Sequence, residues 1–330
     1  MGRIIFEEKY EDIISVENLL VAWREFLPGK RSKPDVQEFA RNLMSNLLAL
    51  HASLVDMSYR HEPYRAFVIN DPKKRQIHKA SVRDRIFHRA LYRKLYPFFD
   101  RTFIADSFSC RIAKGTHRAN NRFTRMAQEV SMNHRKTVWV LKCDVRKFFA
   151  SIDQRTLLLI LDRRIADWRI MWCIQQIIES FPSGVPGVGL PLGNLTSQIL
   201  ANVYMNELDQ YVKHQLHIRH YVRYADDFVF LSRHRGYLES VLPLVHQFLF
   251  DQLKLTLHPQ KIELRTMASG VDFLGWVQFS DHRVLRGSTK RRMMRRLGAE
   301  PEEGVVASYL GLLGHGNTFG LAEAVHNLAC

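Results

Sequence analysis

Cysteine is scarce and scattered. The chain has four, Cys110, Cys143, Cys173 and Cys330, and no CxxC pair, which sets aside the common zinc modules. Its fifteen histidines show no HExxH or other ligand-like spacing. Long apolar runs are also missing, and none could span a bilayer. The N-terminus, MGRIIFEEKYEDI, lacks the charged-then-apolar order of a secretory leader. Phe6 stands where a myristoylation signal carries Ser or Thr. Lone cysteines without an export signal lead us to expect a reducing cytosol. Internal repeats, low-complexity tracts and long linkers are absent, so the parts of the chain are expected to pack together.

Acid is the scarce charge. There are 48 Lys plus Arg against 33 Asp plus Glu, a net charge of +15, and the pI is near 9.8. Such an excess points to a polyanionic partner, with nucleic acid first and an anionic membrane surface second. No long basic amphipathic helix favours the membrane. With 330 residues, 46% of them apolar, the chain can bury a sizeable core in two or three subdomains and is too apolar for global disorder.

The centre of the sequence is Tyr221–Leu231, YVRYADDFVFL. Its pattern predicts strand, tight turn and strand, with Asp226 and Asp227 at the turn. Two carboxylates in so small a volume repel each other unless a cation sits between them. A solvated Asp-Asp turn is the plain alternative, and this stretch alone does not choose. A second informative stretch is residues 137–153, TVWVLKCDVRKFFASID. Its apolar strand ends in Asp144, an expensive place for an acid without a partner. Phe149 and Asp153 follow.

The remaining segments add charge and organisation. Residues 1–60 carry helix-spaced apolar positions, interrupted by the basic loop LPGKRSKP. In 64–78, two short strands flank Asp-Pro-Lys-Lys-Arg, a turn signal. An amphipathic helix with Arg83, Arg85, Arg89, Arg93 and Lys94 follows. From Lys73 to Lys94 the only acid is Asp84, a pattern suited to phosphate binding or to a solvated charged face. Gly115 and Thr116 beside Lys114 and Arg118 give a weaker phosphate signal. One helix is expected over about 154–180. The Pro/Gly-rich loop before 195 leads into another helix, whose N-terminus suits an anion. Residues 253–265 alternate like a strand, and 271–278 read as a short strand with a glycine kink. Residues 283–297 hold seven cations and no acid, with Lys290, Arg291, Arg292, Arg295 and Arg296 covering much of a helix.

In this order the blocks LKCDVRKFFASID, LPLGNLTSQILANVYMNELD, YADD, LHPQKIEL and FLGW resemble the palm of a reverse transcriptase. FVINDPKKRQI with SVRDR resembles the fingers of that family, and the resemblance covers roughly residues 60–300. It implies an α+β right-hand polymerase with an antiparallel-sheet palm, fingers and a short helical thumb. The corresponding division is a helical extension over 1–60, fingers over 61–136, palm over 137–280 (with 155–190 partly fingers) and thumb over 281–330.

The resemblance also implies roles. Nucleotidyl transfer uses two Mg²⁺ about 3.5–4 Å apart. Asp144, Asp226 and Asp227 would be the catalytic, metal-holding acids, with Asp227 the looser one, and the carbonyl of Val145 would complete a metal shell. Phe149 would pack under the sugar and exclude a 2′-hydroxyl. Lys73 and Arg75 would lie over the triphosphate, and Lys261, the lysine near the palm base, would bind the nucleotide too, as would Gln198. Phe273, Leu274, Gly275 and Trp276 match the primer grip. Lys290, Arg291, Arg292 and Arg295 would hold the template–primer duplex by its backbone.

One block departs from the commoner pattern. Retroviral and group II intron enzymes usually carry Pro-Gln-Gly and then Ser-Pro; here Pro191-Leu192-Gly193 precedes Ser197-Gln198. That form resembles the reverse transcriptases of diversity-generating retroelements. The absence of stretches resembling RNase H, maturase or endonuclease regions agrees. The resemblance then implies copying of a template-repeat RNA into cDNA with errors at adenines. It also implies dNTPs as substrates, a small accessory variability protein as partner, and a cytoplasmic enzyme of bacterial or phage origin. Leu192 would loosen base selection beside Gln198. A retron or group II intron-like reverse transcriptase is the nearest alternative. A catalytically silent RNA-binding palm is the other, and retention of all three acids argues against it.

Overall fold

The computed structural model describes residues 4–70, 74–181, 183–298 and 302–327. Four helices open the chain: α1 (Tyr10–Ile14), α2 (Val16–Phe26), α3 (Pro34–Arg41) and α4 (Leu43–Val55). A ribbon of β1 (Arg65–Ile69) and β2 (Arg75–Lys79) precedes the long α5 (Val82–Asp100). α6 (Thr116–Ser131) and β3 (Trp139–Asp144) follow, then α7 (Phe148–Ser151), α8 (Gln154–Asp162), α9 (Trp168–Glu179) and α10 (Leu195–Gln210). β4 (Tyr221–Tyr224), β5 (Asp227–Ser232) and α11 (Arg235–Leu253) come next. The last part holds β6 (Glu263–Thr266), β7 (Val271–Phe273), β8 (Trp276–Gln278), β9 (Arg283–Leu285), α12 (Gly287–Leu297), α13 (Glu303–Leu313) and α14 (Phe319–Asn327). No described helix is long and apolar enough to cross a membrane.

The chain forms two compact units. The first comprises Met1–Ile104, Val145–Tyr211 and Gln247–Thr256. In it α2 and α10 both pack on α5. Ser81 caps α5 by accepting from the Asp84 amide at 3.1 Å. The cations of α5 close onto carboxylates instead of facing outward as a phosphate site. Arg85 reaches Asp35 at 2.6 Å, Arg93 reaches Glu25 at 2.8 Å, Lys94 reaches Glu8 at 2.8 Å and Arg83 reaches Glu62 at 3.3 Å. Arg89 lies 3.9 Å from Glu25. Residues 8, 25 and 35 lie in the N-terminal segment, far from α5 in sequence, so a local window counts only the cations. The helix expected over 154–180 is two helices. Phe6 pairs with Ile165 in a parallel bridge at the break, and Asp167 caps α9 by accepting from the Arg169 amide at 2.9 Å.

The second unit comprises Ala105–Asp144, Val212–His246 and Leu257–Cys330. Its main sheet is antiparallel, in the order β4-β5-β3-β6. Val140, Val222, Val229 and Leu231 form one buried cluster with Phe123, Met126, Ala127 and Val130 of α6. Of the stretch 253–265 only 263–265, the start of β6, is strand, because Pro259–Lys261 forms a 3₁₀ turn and proline cannot donate to a ladder. The strand expected over 271–278 is a hairpin, β7 paired with β8. Leu274 and Gly275 form its tip with φ of 49° and 88°, the left-handed pair that a two-residue hairpin turn demands. α12 is held by Met293 and Leu297, which join Trp276, Val306, Leu313 and Val325 in the C-terminal cluster.

Candidate active site

β3 and β5 pair so that Asp144 stands directly opposite Asp227. Tyr224 also pairs with Asp227, leaving Ala225 and Asp226 as a two-residue turn. Ala225 takes φ 55°, a strained value for a residue with a β-carbon. Asp226 occupies the turn while Asp227 begins the strand. Sheet register and a tight turn thus bring Asp144 to a pair of carboxylates more than 80 residues away in sequence.

The electrostatics are those of a site short of positive charge. Asp227 is half-buried, and its Oδ1 is buried without a hydrogen-bond partner among the described residues. Burial first, then the charges of Asp144, Asp226 and Asp272, push its carboxyl up to about 7 against the pull of Lys142. Burial, with help from Asp227 and Asp144, likewise pushes the Cys143 thiol up to about 12. The Lys261 ammonium donates to Asp144 Oδ2 at 2.5 Å, so a residue expected beside the nucleotide is tied to one of the acids. Val145 follows Asp144 and is buried. Asp153, close by in sequence, is a helix cap that accepts from the Thr156 amide at 2.7 Å.

An orphaned buried carboxylate oxygen among three acids fits a divalent cation. Among the described residues, no three His, Cys, Asp or Glu side chains form a ready cation cage.

The first unit assembles other predicted residues. Phe149 on α7 is half-buried, packs edge-on against Phe148, and accepts through its carbonyl from the Leu190 amide at 2.8 Å. Two residues on, the Leu192 carbonyl accepts from the His78 amide at 3.0 Å. Asn194 then donates its side-chain amide to the His78 carbonyl at 3.2 Å. The Leu192 loop is therefore stitched to β2, the strand that begins with the exposed Arg75. Gly193 has φ 104°, and a Cβ there would lie 2.8 Å from Ile77, so only glycine fits this close approach. Gln198 is exposed on α10. Lys73 lies outside the described residues. The sequence reading missed Asn194, although an Asn directly before a helix is a recognisable capping signal.

In the second unit Phe273 and Trp276 are 0% and 2% exposed. Their rings belong to the core, leaving the Leu274-Gly275 tip and its backbone as the part of the hairpin a ligand can reach. Lys290, Arg291 and Arg295 are exposed and Arg292 is half-buried.

Solved structures share this architecture. A truncated apo telomerase from Candida tropicalis has a TM-score of 0.51 at 11% identity, over 74% of this chain and 60% of that one. A Candida albicans telomerase in complex with a TWJ fragment of telomeric RNA has a TM-score of 0.53 at 11% identity, over 83% and 54%. The fold is thus reverse-transcriptase-like, a mixture of helix and antiparallel sheet consistent with a right-hand polymerase. Residues 70–277 match the family described as reverse transcriptase (RNA-dependent DNA polymerase), and the chain belongs to that family. Among curated relatives, Escherichia coli Protein YkfC is 26% identical, over 79% of this chain and 77% of its own length. The group II intron-encoded protein LtrA of Lactococcus lactis is 24% identical over 48% of this chain. This chain spans only 27% of LtrA and less than two thirds of either telomerase chain.

Proposed function

We propose that the protein copies RNA into DNA, with Asp144, Asp226 and Asp227 as the acids of the reaction centre. The observation that carries this reading is the register of β3 and β5. It sets Asp144 against Asp227 beside the Asp226 turn and leaves one buried oxygen without a hydrogen-bond partner among the described residues. These acids would hold two Mg²⁺, with the Val145 carbonyl as a further ligand. Bound there, Mg²⁺ supplies acidity to the primer 3′-hydroxyl and charge to offset the departing pyrophosphate. Lys261 orients Asp144 by direct contact. Arg75 and Lys73 serve the triphosphate of a dNTP, Phe149 serves its sugar, and α12 serves the backbone of the template–primer duplex.

The finer reading is a diversity-generating enzyme, supported by Leu192-Gly193 and Ser197-Gln198 in place of the Gln and Pro of the commoner pattern. Leu192 removes a polar group from the base-selecting loop, and the product would be cDNA with errors opposite template adenines. A small accessory variability protein would be its partner, in a bacterial or phage-encoded cytoplasmic system. Similarity to the intron-encoded LtrA keeps an intron-like reverse transcriptase as the second reading.

Primer extension on RNA with dNTPs and Mg²⁺, followed by cDNA sequencing, separates these readings. Loss of extension in Asp226→Ala/Asp227→Ala and errors concentrated at adenines support both levels. Evenly spread errors, or no change in errors in Leu192→Gln, remove the finer one. Absence of extension with native RNA and partner present removes the polymerase.

A further inference from the structure

α6 buries one face and exposes another. Ala119, Phe123, Met126, Ala127 and Val130 face the sheet cluster. Arg118, Asn121 and Arg125 recur at helical spacing on a different side and are exposed. Two clefts of about 510 and 430 Å³ run along that side. They share Asn121 and Arg125 as a common wall, so they adjoin along the helix as a two-lobed groove.

The groove borders five Lys and Arg side chains and only two acids. Asp106 is neutralised by Arg122 at 2.7 Å and Lys213 at 3.4 Å. Asp281 is engaged by His282 at 2.7 Å. Among the described residues, neither Arg118 nor Arg125 has a carboxylate at ion-pair distance. Arg283 lies over the Trp276 ring, donates to the His315 carbonyl and donates to Asn121 Oδ1 at 2.8 Å. That bond turns the Asn121 amide donors away from Arg283. Three guanidinium groups without carboxylate partners therefore line one trough, with neutral polar groups from Asn121 and Asn317 between them.

We infer that this groove is a second RNA-binding surface, which holds the sugar-phosphate backbone of an RNA segment away from the acid cluster. Guanidinium groups pair with phosphate oxygens in fork geometry. Side-chain amides between them match 2′-hydroxyl groups, which distinguish RNA from DNA. α6 packs on the sheet through its opposite flank, so a strand held here is separated from that sheet by the helix itself. The surface goes beyond the polymerase reading and is tested without turnover.

The full chain is titrated with a labelled structured RNA hairpin and with duplex DNA of the same sequence, across a salt series. Arg118→Gln/Arg125→Gln is expected to weaken RNA binding about tenfold near physiological salt. It should also make the slope of log affinity against log salt shallower by about 1.5. Arg118→Lys/Arg125→Lys keeps the charges and should stay within a few-fold of the native chain, which separates charge loss from misfolding. Extension of a short primed template should be unchanged in the Gln variant, and an Asp226→Ala chain should bind the hairpin normally. Failure here thus leaves the polymerase reading standing, and failure of that reading leaves this one standing. Unchanged RNA affinity and slope in the Gln variant would overturn the inference and leave the groove to an acidic protein segment. Equal losses on RNA and DNA would overturn its assignment to RNA.

Discussion

α5 and α12 are both rich in arginine and lysine, and they use those charges differently. On α5 the cations meet Asp35, Glu25, Glu8 and Glu62 within the first unit. On α12, Lys290, Arg291 and Arg295 are exposed and meet no carboxylate among the described residues. Cations matched inside the fold hold elements together, while cations left unmatched are available to a polyanion. The acids obey the same rule: Asp84 is fully satisfied at the start of α5, whereas Asp227 keeps an oxygen without a hydrogen-bond partner among the described residues. Composition alone cannot distinguish the two helices, because the difference lies in what each one packs against.

The largest effect expected within this comparison is on the matched side. Asp84 is 0% exposed and accepts from the Tyr59 hydroxyl at 2.9 Å, the Ser81 hydroxyl at 2.8 Å and the Glu62 amide at 3.0 Å. Asp84→Asn should cost about 3 kcal/mol in a denaturant titration, since buried groups lose their acceptor. A loss below about 1 kcal/mol would mean that solvent already reaches the cluster.

On the unmatched side, Lys290→Gln/Arg291→Gln/Arg295→Gln should weaken binding to an RNA–DNA duplex by about ten- to a hundredfold. The salt slope should become shallower by about 2 to 3, with the melting temperature unchanged. A melting temperature that falls with affinity would erase the distinction between the helices.

Acid should weaken the first unit selectively. His88 is 1% exposed. Burial, reinforced by His61 and Arg85 and opposed by Asp84, pushes its pKa down to about 3. A lowered folded value means the unfolded chain takes the proton first. The contribution is therefore fully present above about pH 6.5 and declines by about 1.4 kcal/mol per pH unit on the way down toward pH 3. His88→Phe should flatten that decline in stability measured at pH 5 and pH 7.

Glu25→Gln is the mildest change. It removes partners of Arg93 and Arg89, both partly exposed, and should cost less than about 1 kcal/mol. A gain of RNA affinity in this variant would show that the freed cations of α5, too, reach nucleic acid.

Much of the site was legible in the chain. The YADD turn, the strand ending in Asp144 and the helix after Leu192 fall where the pattern places them, because each is a local signal of alternation, capping or glycine punctuation. The break in 154–180 was not read, although Asp167 is a capping residue. The bridge that enforces the break comes from Phe6, distant in sequence. Residues 271–278 were read as one strand because two three-residue strands and a Leu-Gly tip resemble a kink when neither partner is visible.

From residue order alone come the family, the acids of the site, the excess of positive charge and the departures at Leu192 and Gln198. Each is a matter of residue type and spacing. Tertiary structure decided that Asp144 faces Asp227, that Lys261 is bound to an acid, that Phe273 and Trp276 are core, and that the cations of α5 meet carboxylates while Lys290, Arg291 and Arg295 of α12 and Arg118 and Arg125 of α6 meet none among the described residues. Ion pairs, register and burial depend on residues far apart in the chain, and their energies are set by distance and desolvation, which exist only once the chain has folded.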